Sequence, residues 1–235
     1  MKPDHSPAQR VIVALDTPDA GQALNLARSL RPEIVWFKVG LELFSSAGPA
    51  VVKDLRDLGA QVFLDLKLHD IPNTVAKSIE SIGHLGVGMT TLHAGGGQAM
   101  MEAAAKARAD HGPALLAVTV LTSLDADALQ TLGVSATPEE QVLRLAALAA
   151  ECGMDGAVCS ALEVAQVRAL TSKDFLLVTP GIRMTDDSQD DQARVSGPAE
   201  AIRRGADFLV VGRPITQASD PRAAVRRLQQ ALAAR

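Results

Sequence analysis

Three charged residues, Asp65, Lys67 and Asp70, follow one another closely in a segment that opens with the apolar, strand-forming run 62–64. Side chains two residues apart on a strand point to the same side, so Asp65 and Lys67 are predicted to share one face. Charges beside an apolar strand are costly unless they pair with one another or with a ligand. A structural ion pair explains an isolated Asp-x-Lys equally well, but the third charge favours a binding or catalytic site.

A second lysine, Lys38, stands near the end of the preceding apolar segment, and it extends this group to two lysines and two aspartates. Neighbouring carboxylates keep a lysine protonated. A protonated lysine is a poor Schiff-base nucleophile, because that reaction needs the neutral amine, but it is a good proton donor. The pattern therefore indicates proton donation rather than covalent catalysis.

The dipeptide Gly212-Arg213 follows the last apolar segment and precedes Pro214 and a possible short helix. Backbone N–H groups at the start of a helix and a guanidinium group together bind a phosphate dianion, which predicts a phosphate site here. His69 and His93 are candidate acids or bases, although an isolated histidine near glycines is more often structural, so their roles stay open.

Apolar, strand-like segments alternate with helix-like segments along the whole chain. The predicted strands are 10–15, 34–39, the segment from 61, 87–93, 115–121, 156–160, 175–179 and 208–211. The predicted helices are 18–30 with Thr17 as N-cap, 49–58, 73–85, one ending near 109, 138–152, 161–170 and 221–233.

Eight strand–helix units of roughly 30 residues each predict a closed (β/α)₈ barrel, an α/β fold whose active site lies at the carboxyl ends of the strands. A doubly wound open sheet is the alternative, but no Gly-x-Gly-x-x-Gly follows the first strand. Without a shift in composition, the chain is predicted to be one catalytic domain over 1–235, with 1–9 as a flexible extension. The polar connection after Arg183 is long for a barrel, which makes Gln192 a candidate ligand-binding residue.

Composition narrows the range of partners. A net charge of −4 and the lack of a long basic run argue against nucleic-acid binding. No apolar segment approaches the roughly 20 residues that span a bilayer, and the first residues lack a signal core, so we expect a cytoplasmic protein without a membrane partner. Cys152 and Cys159 lack the spacing of zinc ligands and are expected to be free, buried thiols.

The segment Asp65-x-Lys67-x-x-Asp70-Ile71-Pro72-Asn73-Thr74 closely resembles the signature of the orotidine 5′-phosphate decarboxylase family. The resemblance covers essentially the whole chain and includes Leu121-Thr122-Ser123, Pro180-Gly181-Ile182-Arg183, Gln192 and Val211-Gly212-Arg213. It implies a homodimeric barrel that uses neither a metal nor an organic cofactor. The implied reaction converts orotidine 5′-phosphate to UMP and CO₂, the last step of pyrimidine nucleotide synthesis.

The resemblance also implies a role for each matching residue. Lys67 protonates C6 of the pyrimidine as the carboxylate leaves, Asp65 lies against that carboxylate, and Lys38 holds Asp65 and contacts the ribose. Asp70 is a further catalytic residue, and with Ile71 and Thr74 it reaches into the partner subunit's site. The remaining roles are binding ones: ribose hydroxyls by Asp16, the pyrimidine ring by Thr122, and the phosphate and closed loop by Arg183, Gln192, Gly212 and Arg213.

Two other functions stay open at this point. A sister barrel family shares the Asp-x-Lys-x-x-Asp pattern and handles sugar phosphates such as 3-keto-gulonate 6-phosphate through a Mg²⁺-stabilised enediolate. Its second strand ends in a metal-binding carboxylate, whereas this chain has Lys38, and an ammonium group cannot bind Mg²⁺. A catalytically inactive, nucleotide-binding barrel is the other possibility, but such a protein is expected to have lost Asp65 or Lys67.

Overall fold

The structure is a computed structural model that describes residues 6–183 and 197–233. Eight parallel strands form a closed barrel in which each strand pairs with the next and the last pairs with the first. This confirms the predicted (β/α)₈ barrel and excludes the open sheet. The strands are β1 (Val11–Ala14), β2 (Trp36–Gly40), β3 (Gln61–Leu68), β4 (Met89–His93), β5 (Ala114–Val118), β6 (Gly156–Val158), β7 (Leu176–Thr179) and β8 (Phe208–Val211).

Helices surround the barrel and connect its strands. In the described part of the chain they are α1 (Pro7–Arg10), α2 (Ala20–Leu30), α3 (Leu41–Ala47), α4 (Ala50–Asp57), α5 (Pro72–Gly83), α6 (Gln98–Ala107), α7 (Ala126–Thr131), α8 (Pro138–Glu151), α9 (Val164–Leu170), α10 (Pro198–Arg203), α11 (Arg213–Thr216) and α12 (Pro221–Ala233). A short 3₁₀ helix, Ala94–Gly96, precedes α6. None of these helices is long and apolar enough to cross a membrane.

The start of α2 differs from the prediction. Asp19, not Thr17, is the N-cap, and its carboxylate accepts the backbone N–H of Gln22 at 3.0 Å. The hydroxyl of Thr17 instead accepts the N–H of Asp19 at 3.2 Å, in the turn before the helix. Thr17 was the wrong choice because the helix begins two residues later than the pattern indicated, and an N-cap directly precedes its helix.

Two apolar cores hold the barrel together. The inner core fills the barrel interior with alternate strand residues, among them Ile12, Phe63, Met89 and Val178, and Trp36 packs edge-to-face on Phe208 with ring centroids 5.7 Å apart. The outer core lies between the strands and the helices, and it includes Cys152 and Cys159, which are buried as the sequence predicted. Because the interior is filled, a ligand can enter only at the ends of the barrel.

The remaining differences concern element boundaries. Helices α3, α7 and α10 were not predicted. Strand β5 ends at Val118, so Thr122 lies in the following loop rather than directly after the strand. The N-terminal extension expected over 1–9 overlaps α1, which contacts β1, β8 and α12. These differences change the connections but not the strand order, so the predicted polar strand ends still converge.

Candidate active site

A cavity of about 480 Å³ opens at the carboxyl ends of the strands. Its apolar lining includes Phe63, Val118, Val158 and Val210. Its walls carry eight of the residues predicted from the sequence to form the site: Asp16, Lys38, Asp65, Lys67, Thr122, Arg183, Gly212 and Arg213. The cavity thus combines apolar and charged lining residues, as ligand sites commonly do.

Four charged side chains alternate in sign across one wall of this cavity. The Lys38 ammonium lies 3.0 Å from Asp16 Oδ1 and 3.6 Å from Asp65 Oδ2, and Lys67 Nζ lies 2.8 Å from the same Asp65 oxygen. The Asp65 side chain is only 10% exposed, whereas that of Asp16 is 56% exposed. Asp65 is therefore the buried centre of the group, with a lysine on either side.

The electrostatics of Asp65 follow from this geometry. Burial alone opposes ionisation of a carboxyl group. The ammonium groups of Lys38 and Lys67, together with hydrogen bonds from Lys67 and Thr91, outweigh that penalty and hold the pKa of Asp65 below its usual value. Asp65 is consequently a carboxylate at neutral pH, and it holds two ammonium groups in fixed positions at the edge of the cavity.

The strand that carries this pair is irregular where the pair lies. Leu64 pairs with Thr90 and Leu68 pairs with Leu92, so β3 has two more residues than β4 between these two pairs. At Lys67 the backbone has φ +50°, in the left-handed region that non-glycine residues rarely adopt. The predicted pairing of Asp65 with Lys67 is present, but it occurs in a bulge rather than in a regular strand.

Two residues that sequence reasoning missed make this arrangement possible. Thr91 on β4 is fully buried; its hydroxyl donates to Asp65 Oδ1 at 2.9 Å and accepts the N–H of Lys67 at 2.8 Å. Gly40, at the end of β2, leaves room for Lys38, since a Cβ there would lie 2.7 Å from Lys38 Nζ. The sequence offered only a weak signal, a polar residue in the apolar segment 87–93 and a glycine two residues after a lysine.

The predicted phosphate site lies where β8 ends, next to β1 and Asp16: a Cβ on Gly212 would lie 3.7 Å from Asp16 Oδ2. Gly212 caps α11, which starts at Arg213 and has Pro214 in its first turn. Arg183 follows β7 and lines the same cavity, as does Gln217 after α11, which the sequence analysis did not select. Two guanidinium groups and the start of a helix therefore border one cavity, which is the combination that binds phosphate.

Comparison with known proteins assigns the chain to a family. The sequence profile of the orotidine 5′-phosphate decarboxylase / HUMPS family matches residues 9–228. The chain belongs to this family. Its membership confirms the resemblance drawn from the sequence and the prediction of an enzyme of the carboxy-lyase class.

Individual members of the orotidine 5′-phosphate decarboxylase family are similar over nearly their full length. The orotidine 5′-phosphate decarboxylase of Nitrosomonas europaea is 53% identical over 95% of this chain and 97% of its own. That of Chromobacterium violaceum is 52% identical over 94% of this chain and 90% of its own. The crystal structure of the orotidine 5′-phosphate decarboxylase from Lactobacillus acidophilus superposes with a TM-score of 0.83 at 41% identity, covering both chains completely.

Not all predicted site residues of this decarboxylase-family protein lie at its own cavity. Asp70, Ile71 and Thr74 are exposed at the start of α5 and do not line it, and Ile71 is 66% exposed. Asp70 Oδ1 accepts the N–H of Ile71 at 2.7 Å, which orders the turn into α5. Gln192 lies outside the described residues. The predicted set therefore divides into residues at the cavity and a separate, exposed group on the adjoining turn.

The two histidines of the decarboxylase-family chain lie beside each other near the charged group. Their rings are 5.4 Å apart between centroids. Burial, and then the nearby His69 and Lys67, lower the pKa of His93. Neither histidine lines the cavity, and among the described residues no three His, Cys, Asp or Glu side chains form a potential metal site.

Proposed function

We propose that this protein decarboxylates orotidine 5′-phosphate to UMP and CO₂, the last step of pyrimidine nucleotide synthesis. The observation that carries the proposal is the Lys38–Asp65–Lys67 group at the wall of a cavity that two arginines suited to a phosphate also line. The names of relatives more than 50% identical over nearly the whole chain support it.

In the proposed reaction the bond between C6 and the carboxylate breaks, and its electron pair stays on C6 until Lys67 transfers a proton there. The developing carbanion is attracted by the ammonium group more strongly than the neutral ring of the substrate is. An interaction that strengthens in the transition state raises kcat, and one that is already in position costs little reorganisation. Asp65, 2.8 Å from Lys67, supplies that fixed position.

Asp65 has a second proposed role toward the substrate. Its low pKa keeps it ionised, so a substrate carboxylate placed beside it is repelled until CO₂ leaves. Lys38 links Asp65 to Asp16 and is well placed for the ribose, whose hydroxyls Asp16 would bind through its exposed oxygens. Thr122, on the loop after β5, is proposed to contact the pyrimidine ring.

The phosphate is proposed to bind between Arg183 and the Gly212-Arg213 turn, with Gln192 as a further contact. This group lies far from C6 and takes no part in the chemistry. Its binding energy can nevertheless order the site around the reacting atoms, which raises kcat as well as lowering KM.

We further propose a homodimer in which Asp70, Ile71 and Thr74 complete the partner subunit's site. These residues lie next to the catalytic strand yet outside the cavity of their own subunit. Ile71 has a large apolar side chain, 66% exposed, that a second subunit would bury. A cytoplasmic location and a single catalytic domain remain part of the proposal.

Two rival functions make different predictions. The Mg²⁺-dependent sugar-phosphate enzymes need a carboxylate at the end of β2, where this chain has Lys38, which forms ion pairs with two aspartates. A nucleotide-binding barrel without activity has no need for the strained backbone at Lys67, which costs on the order of 1–3 kcal/mol. Both features favour the decarboxylase.

One spectrophotometric assay tests the proposal. Purified protein is mixed with orotidine 5′-phosphate, with and without EDTA, and the loss of substrate absorbance is followed. We expect turnover that EDTA does not change. Activity that disappears with EDTA and returns with Mg²⁺ would favour the sister family, and binding of UMP without any turnover would favour the inactive barrel.

A further inference from the structure

Thr91 connects the two charged residues at the centre of the site through a single hydroxyl group. The hydroxyl donates to Asp65 Oδ1 at 2.9 Å and accepts the backbone N–H of Lys67 at 2.8 Å. Thr91 is fully buried on β4 and does not line the cavity. It therefore contacts Asp65 and Lys67 without lining the surface that a bound ligand would touch.

The bond to Lys67 lies where β3 departs from regular pairing. Between Leu64 and Leu68, β3 has two residues more than the paired stretch of β4, and the backbone of Lys67 is left-handed. Such a conformation persists only where surrounding contacts fix it. The Thr91 oxygen provides one such contact, because it accepts the N–H of the strained residue itself.

Because of the hydrogen bond from Thr91, the two carboxylate oxygens of Asp65 have different partners. Oδ1 receives the neutral hydroxyl of Thr91, while Oδ2 faces Lys67 at 2.8 Å and Lys38 at 3.6 Å. Without the hydroxyl, the carboxylate can rotate and share its two oxygens differently between the lysines. The position of the Lys67 ammonium then becomes less defined.

We propose that Thr91 is a positioning residue for the decarboxylation, one that fixes the Lys67 ammonium by holding both the Asp65 carboxylate and the Lys67 peptide. This rests on the function proposed above. It requires the hydroxyl group rather than the bulk of the side chain, and it concerns the chemical step rather than binding of the phosphate or the ribose.

The neighbouring residue provides a matched control. Thr90 is also fully buried on β4, and its hydroxyl donates to the backbone carbonyl of Leu64 at 2.9 Å. This hydrogen bond goes to the main chain rather than to a charged side chain of the site. Replacing either threonine by valine removes one buried hydroxyl from the same strand. Only Thr91→Val removes a hydroxyl that is hydrogen-bonded to Asp65 and Lys67.

The test compares four variants: Thr91→Val, Thr91→Ser, Thr91→Ala and Thr90→Val. For each, kcat and KM for orotidine 5′-phosphate and the thermal midpoint are measured. We expect Thr91→Val to lower kcat by about tenfold to a hundredfold, the range that follows when a buried polar group loses its partner, with a smaller change in KM. Thr91→Ser should stay within about threefold of wild type, and Thr90→Val should lose stability but keep kcat.

Three results would overturn the proposal: wild-type kcat in Thr91→Val, equal damage in Thr91→Ser and Thr91→Val, or an equal fall of kcat in Thr90→Val. If Thr91→Val does not fold, Thr91→Ser and Thr91→Ala give the same comparison, because they differ only in the hydroxyl, and equal kcat in those two would refute it. A wild-type protein without turnover would instead refute the proposed function.

Discussion

Replacing Lys67 by alanine tests the centre of the proposed mechanism. The change removes the ammonium group 2.8 Å from Asp65 Oδ2. Asp65 keeps Lys38 at 3.6 Å and the Thr91 hydroxyl at 2.9 Å, so the remaining carboxylate is still paired. The cavity walls around the phosphate site are unchanged. We therefore expect a folded protein that binds nucleotide but lacks its proton donor.

The expected loss has two parts. A positioned general acid contributes about 10²–10⁴-fold to the rate. A fixed group that stabilises developing charge contributes roughly another 10²–10³-fold, judged from the loss of a single donor in other enzymes. Because Lys67 is proposed to do both, Lys67→Ala should lower kcat by about 10⁴–10⁷-fold if the two effects multiply.

The measurement combines turnover with binding. Loss of orotidine 5′-phosphate absorbance gives kcat, and calorimetric titration with UMP shows whether the nucleotide still binds. Lys53→Ala is the control, because Lys53 also pairs with an aspartate, Asp57, but on an exposed helix away from the cavity. A Lys67→Ala protein that keeps a tenth of wild-type kcat would refute the assignment of Lys67 as proton donor.

Three further predictions follow from other parts of the site. Arg213→Ala should greatly reduce kcat/KM for orotidine 5′-phosphate but hardly affect the nucleoside orotidine; equal damage to both would make Arg213 a structural residue. Lys67→Ala and Asp70→Ala proteins, each inactive alone, should regain about a quarter of wild-type activity when they are unfolded and refolded together. About half of the dimers are then mixed, and each mixed dimer has one intact site out of two. A mixture with proven heterodimers but no activity would contradict the shared site. The lowered pKa of Asp65 stabilises the fold above the unfolded-state value of about 3.9, and this contribution is lost as pH falls through the lower folded-state value. The acid-side loss of thermal stability should therefore be shallower in Asp65→Asn, and an unchanged slope would count against that linkage.

The barrel was predictable because its signal repeats. Buried parallel strands give continuous apolar segments, and eight of them alternate with amphipathic ones, so an error at one boundary leaves the count intact. The strand β8 and the helix α12 were predicted at their observed bounds. The short helices α3, α7 and α10 were missed, since six or seven residues are too few to show a clear helical period.

The site was predictable only where polar residues end apolar segments. Lys38, Asp65 and Lys67 stand out for that reason, and their ion pairs are present in the structure. Thr91 does not stand out, because threonine is common in strands and its contacts depend on a bulge in the neighbouring strand. No local pattern indicates a residue pair 24 positions apart in the chain.

At Lys67 the proposed catalytic role conflicts with the stability of the backbone, which is left-handed there. Among the residues that the structure describes, Lys67 is the only non-glycine with a positive φ. Glycine would relieve the steric conflict there, yet it has no amine to donate a proton. Under the proposed mechanism, a more stable backbone and a faster reaction therefore require different amino acids at position 67.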